Sequence, residues 1–151
     1  MSNFNRQLVA LTLATLRADG KVDPAEIEAV KKVAADLGCS ETETTKYLLE
    51  ENEKQLVQCP DITKYIAEVG KTVENHEDKQ LIMEACVSVA LADKVLTTKE
   101  VHVLLMICKA LGSQLDRLVC DIAIFAQNDR SIKIEGSDAN FDEDEITEEE
   151  N

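Results

Sequence analysis

Tryptophan is absent from this chain, aromatic residues make up only 3% of it, and histidine occurs twice. Single-strand nucleic-acid binders stack bases on aromatic side chains, and that platform is missing. Basic residues are scarce too: 16 Lys and Arg stand against 30 Asp and Glu, a formal charge of -14 at pH 7. A surface of that sign repels phosphate, which argues against nucleic acid as a partner and against anionic membranes. Cations and basic partners are attracted instead. There is no GxSxG elbow, HExxH helix, Gly-rich phosphate loop or Cys–His pairing pattern. His76, in "NHED", and His102, on a helical stretch, read as surface or packing residues rather than general bases. The chain reads as a non-enzyme.

No CxxC pair occurs among the five cysteines, Cys39, Cys59, Cys86, Cys108 and Cys120. They are expected to be reduced, and most of them to be small core residues rather than metal ligands. The opening "MSNFNRQLVALTLATLRADG" has a weakly apolar run broken by Thr and Arg and does not read as a signal peptide. The longest apolar run, "LIMEACVSVALA", contains Glu84 and is shorter than the roughly 20 residues a bilayer span needs. A cytoplasmic protein without direct membrane insertion is expected.

Helical periodicity is what the chain has in abundance. Ile27, Val30, Ala34 and Leu37 recur at three- and four-residue steps, as do Ile62, Ile66, Val69 and Val73, and then Leu115, Leu118 and Ile122. Start signals sit in the gaps: Ser40 with Glu43, and Ser113 with Asp116. Gly38 and Gly112 each close a helix just before. Two-residue alternation is confined to "SIKIE". The fold class is all-α: a compact bundle of about seven helices, near 4–18, 24–37, 41–56, 61–74, 77–92, 98–111 and 114–128, each end good to about two to four residues. Residues 1–128 form the domain and 129–151 an acidic tail. The tail carries ten acidic and two basic residues, is expected to be mobile, and is read as a solubilising segment or a docking peptide built on Phe141 and Ile146.

A shift of 74 residues lays "ADGKVDPAEIEAVKKVAADLG" (18–38) on "ADKVLTTKEVHVLLMICKALG" (92–112) without a gap. Asp19 falls on Asp93, Glu26 on Glu100 and Gly38 on Gly112, while Ile27, Val30, Ala34 and Leu37 fall on Val101, Leu104, Cys108 and Leu111. A helix–turn–helix unit therefore occurs twice, which suits a bundle with approximate two-fold symmetry better than a solenoid. These two stretches, continued as far as "GCS" and "GSQLDRL", resemble the TerB-like family, the tellurite-resistance domain also found in the membrane co-chaperone DjlA. The resemblance covers residues 4–128. It implies a bundle of about seven helices, an acidic surface for divalent cations, and a role in stress or tellurite resistance within larger assemblies. Two features depart from the family pattern: Lys94 stands where Gly is usual, and Thr97 stands where the first copy has Asp23. No "HPD" motif is present, so co-chaperone activity does not carry over.

The first copy imitates the closing half of a calcium loop. With Gly20 at position 6, Asp19, Val22 and Glu26 take positions 5, 8 and 12, but Thr15 and Arg17 take positions 1 and 3, where oxygen ligands are required. A functional EF-hand is excluded. Asp23-Pro24-Ala25-Glu26 reads more simply as a capping box with Pro at the first helical position, and Thr97 with Glu100 repeats it. Capping leaves Asp19 and Asp93 unexplained, since each lies at a helix end where the dipole disfavours a carboxylate. They are turn residues, or members of one acidic cluster with Asp23, Glu26 and Glu100 that would suit calcium, magnesium or manganese. Two functions follow: a non-enzymatic acidic module binding a divalent cation and a protein partner, or a purely structural interaction or adaptor domain without metal.

Overall fold

The computed structural model describes residues 2–20, 22–58 and 61–134. Seven α-helices occur among them: α1 (Ser2–Leu16), α2 (Pro24–Asp36), α3 (Glu41–Glu53), α4 (Ile62–Thr72), α5 (His76–Ala90), α6 (Thr98–Leu111) and α7 (Leu115–Asn128). A 3-10 turn, Arg17–Asp19, follows α1, and a π turn, Lys54–Gln58, follows α3. No helix among the described residues is long and apolar enough to cross a membrane.

The order of burial begins with α1. Every residue from Gln7 to Leu16 is buried, so α1 is the central helix, enclosed on all sides. Its two buried hydroxyls remain satisfied within the helix: Thr12 Oγ1 donates to Leu8 O at 2.7 Å and Thr15 Oγ1 to Leu11 O at 2.9 Å. Around it, Ile66, Ile82, Met83, Cys86, Leu104, Ile107 and Leu111 complete the main core. Gly70 of α4 lies directly on Ala110 of α6; a Cβ there would stand 2.6 Å from Ala110 Cβ.

The expected duplication is present and larger than its sequence signature. α1, α2 and α3 correspond to α5, α6 and α7 at the same 74-residue offset, with Glu41 at the start of α3 falling on Leu115 at the start of α7. Packing follows the exchange: α1 lies against α3, α5 and α6, while α5 lies against α7, α1 and α2. Both copies close their second helix with a Schellman motif. Cys39 N donates to Ala34 O at 2.9 Å and Ser113 N to Cys108 O at 3.0 Å, around Gly38 (φ 86°) and Gly112 (φ 71°). That motif corrects one expected cap. Engagement of the Ser113 backbone in closing α6 moves the start of α7 one residue on, so its N-cap is Gln114, without a side-chain cap bond. Ser40 does cap α3, accepting from Glu43 N at 3.3 Å.

Four cysteines are described, all free: Cys86 and Cys108 are buried, Cys39 is half-buried and Cys120 exposed. Cys59 lies outside the described residues. Burial pushes the Cys86 thiol up to about 12, as suits an inert core residue.

The segment after α7 has an unexpected place. Residues 129–134, grouped with the tail by charge, turn back onto the domain, and Lys133–Ile134 (β2) pairs in parallel with Val95–Leu96 (β1). Lys133 N donates to Lys94 O at 2.8 Å, and the Lys94 ammonium pairs with Asp129. Residues 135–151, with Phe141 and Ile146, lie outside the described residues.

Candidate functional site

The first copy's carboxylates are engaged at the start of α2. Asp23 is the N-cap; its Oδ1 accepts from Glu26 N at 2.9 Å, while Glu26 Oε1 accepts from Asp23 N at 3.0 Å. Pro24 begins the helix where no donor is needed. The second copy builds the same box with Thr97 and Glu100, at 3.1 and 3.0 Å. There Glu100 is only 1% exposed, whereas Asp23 lies on the surface.

The two turns also share their geometry. Gly20, with φ 103°, closes the 3-10 turn through a bond to Arg17 O at 2.8 Å. Lys94 occupies the equivalent position with φ 70° and is the one described non-glycine residue at positive φ. A side chain in that conformation costs about 1 kcal/mol or more. The fold offsets it by using the Lys94 carbonyl and ammonium to hold β2 and Asp129. Asp93 Oδ1 accepts from Val95 N at 3.0 Å, a turn bond to its own local backbone. The Asp19 side chain lies outside what is described. Among the described residues no three His, Cys, Asp or Glu side chains are grouped so as to hold a metal ion.

The first copy's turn does meet the second copy's capped helix, but through cations. A cavity of about 490 Å³ opens between the end of α1, the π turn and the start of α6, lined by Arg17, Gln55, Leu56, Thr98, Lys99 and His102 among others. Arg17 reaches it on two amide contacts: Nε donates to Gln55 Oε1 at 3.0 Å, and Nη2 donates to Asn52 Oδ1. Gln55 is in turn anchored by donating to Ala10 O at 3.0 Å.

A second polar centre lies between α1, α3 and α4, and sequence reasoning missed it. Glu51 is 2% exposed, yet its carboxylate accepts from the Tyr65 hydroxyl and from Arg6 Nη1 at 3.5 Å, with Lys54 Nζ at 3.9 Å. Arg6 also pairs with Glu50 at 3.1 Å and lies 4.3 Å above the Tyr47 ring. Gln7 Nε2 donates to Thr72 Oγ1 at 2.9 Å beside it. Arg6, Gln7, Glu51, Lys54, Tyr65 and Thr72 border a cavity of about 320 Å³ that Glu68 also lines. One sequence signal was available. Thr44, Leu48, Glu51 and Gln55 fall on one inward stripe, so Glu51 and Gln55 are polar residues at core positions. A third group, on α7, has Arg117 bonded to Glu84 at 3.1 Å and 3.5 Å from the buried Asp121. Burial, with the Glu84 charge nearby, pushes the Asp121 carboxyl up.

Comparison with known proteins gives the molecule its context. No curated protein and no solved structure matches the chain. The family model for the tellurite resistance protein TerB matches residues 5–117, which hold both capped helices, both turns and, apart from Asn3, the residues that line the two cavities. With three quarters of its length covered, and with the duplicated helical architecture that its motifs imply, the chain belongs to the TerB family.

Proposed function

We propose that this TerB-family chain acts without catalysis, as a helical interaction module that recognises a protein partner through α7. The observation that carries the reading is an apolar strip on a helix that is only partly covered. Leu118, Ile122 and Phe125 turn inward, while Leu115, 53% exposed, and Val119, 57% exposed, stand one turn apart on the outer side, followed by exposed Ala123. Large apolar side chains so placed are unfavourable in water unless something covers them. The carboxylates at 23, 26, 93 and 100 serve as caps and turn acceptors, which a structural adaptor needs without any metal.

The test compares proteins recovered by wild-type chain and by a Leu115→Lys/Val119→Lys variant whose melting temperature is unchanged. Loss of specific wild-type partners from the variant supports the reading; identical recovery refutes it. A second reading, binding of calcium, magnesium or manganese at Asp19, Asp23, Glu26, Asp93 and Glu100, is favoured by the positive-φ residues, Gly20 and Lys94, that follow Asp19 and Asp93 in both copies. Either form of the module would serve in tellurite resistance, the setting the family description names.

A further inference from the structure

The cavity formed by Arg17, Lys99 and His102 contradicts the character of its own protein. In a chain with nearly two acidic residues per basic one, no acidic side chain among the described residues lines it. Arg17 is held there by neutral amides, and no ion pair among the described residues neutralises Arg17 or Lys99. The fold does not demand this set. The residues at the same places in the other copy, 74 positions away, are Leu91, Ala25 and Glu28.

The parallel pairing of β2 with β1 leads the chain toward this cavity. Leu96 pairs with Ile134, and both strands run the same way. The residue after Leu96 is Thr97, the cap of α6, and Thr98, Lys99 and His102 line the cavity. The residue after Ile134 is Glu135, the first of 17 that carry nine acidic side chains and no basic one. At about 3.3 Å per extended residue, a stretch of this length suffices to span from Ile134 to the start of α6.

We propose that this cavity is an acidic-peptide site and that its resident occupant is the chain's own segment 135–151, whose carboxylates pair with Arg17 and Lys99. Tethering decides in favour of that occupant. A segment joined to its site by a short linker experiences an effective concentration on the order of millimolar, so even weak ionic contacts fill the site. The contact is salt-sensitive, because such charges are screened over about 8–10 Å in ordinary buffers. Any acidic partner segment must displace the chain's own tail to use the site.

The experiment uses the intact chain and a zero-length carbodiimide, which joins a lysine amine to a carboxylate only where the two touch. Lys71 and Lys109 are the internal references, because both lie toward the far ends of α4 and α6 from the cavity. In the monomer fraction, links from 135–151 to Lys99 are expected about tenfold above links to either reference, reflecting local concentration. They are expected to fall to the reference level at about 0.5 M salt and on addition of excess synthetic 135–151 peptide. Equal yields at all three lysines, yields unmoved by salt and competing peptide, or Lys99 links found only between two copies would each overturn the proposal.

Discussion

Whether Asp23 and Glu26 cap a helix or hold a cation can be decided by substitutions that separate the two roles. Asn caps a helix about as well as Asp, because its amide oxygen accepts the same bond, but it brings no charge to a metal site. Ala abolishes both. In the folded chain Asp23 Oδ1 receives Glu26 N–H at 2.9 Å on the surface of α2, so Asp23→Ala removes one cap bond and leaves that donor to water. The cost is about 0.5–2 kcal/mol. For a chain of this length each kcal/mol moves the melting temperature by roughly 2–4 °C, giving a drop of about 1–8 °C. Asp23→Asn is expected within about 1 °C of wild type in chelator-treated buffer, since the cap survives.

Adding cation then exposes the second role. A divalent ion present at about 100 times its dissociation constant stabilises the folded state by about 2.7 kcal/mol, or roughly 5–11 °C here. Scanning calorimetry of wild type, Asp23→Ala, Asp23→Asn and Asp23→Asn/Glu26→Gln, with and without millimolar calcium, magnesium or manganese, gives a complete pattern. Capping alone predicts a low-melting Ala variant, with the same ion response in every chain. A cation site predicts a wild-type rise of several degrees that the doubly substituted chain loses. If Asp23→Ala melts with wild type in the absence of cations, Asp23 contributes nothing as a cap.

Three further outcomes follow from the packing and the charges. Gly70→Ala is expected to lower stability by up to about 2 kcal/mol, because overpacking against Ala110 (about 1–3 kcal/mol) offsets or outweighs the roughly 1 kcal/mol gain in helix propensity; urea denaturation of the Gly70→Ala/Ala110→Gly pair should recover part of any loss, and a Gly70→Ala chain about 1 kcal/mol more stable than wild type contradicts the close approach. Glu51→Ala removes the carboxylate that the buried Tyr65 hydroxyl donates to and is expected to lower stability by about 1–3 kcal/mol; a double-mutant cycle with Tyr65→Phe should give a coupling of at least about 0.5 kcal/mol, and a coupling of zero shows that this bond contributes nothing to stability. Bonds from Lys94 and Ser131 lower Asp129 to about 2, below the ordinary carboxylate value, so its contribution to docking β2 is present above about pH 4 and lost as pH falls toward 2. The Lys133 and Val95 amide resonances should shift together across that window, and invariance would detach Asp129 from the docking of β2.

The parts of this molecule readable in its sequence are those governed by neighbours along the chain. Asp23-Pro24 and Thr97 start helices, and Gly38 and Gly112 stop them, through bonds spanning three to five residues, so their positions survive any arrangement of the helices. Ser113 misleads because an equally local motif, the closing of α6, claims its backbone first. The Glu51 centre is different in kind. Its partners Arg6 and Tyr65 are 45 and 14 residues away, and its burial exists only once α1, α3 and α4 meet. The stripe at 44, 48, 51 and 55 announces a polar residue facing inward, but not what it will face.

The repeat carries this argument one step further. Two copies with matching capping boxes, helix stops and positive-φ turn residues show what the fold itself requires. Differences at equivalent positions are then free to carry something else: Arg17 against Leu91, Lys94 against Gly20, Lys99 against Ala25, His102 against Glu28. Each of these four, among the many differences between the copies, puts a basic residue opposite an uncharged or acidic one. Arg17, Lys99 and His102 gather at one cavity, while Lys94 holds the strand that leads the tail toward it. In an acidic protein such a concentration has electrostatic consequences well beyond its size, because the strongest attraction it offers is to the chain's own nine carboxylates. The duplicated caps and turns thus account for the scaffold, and the departures from duplication mark where its charge is put to use.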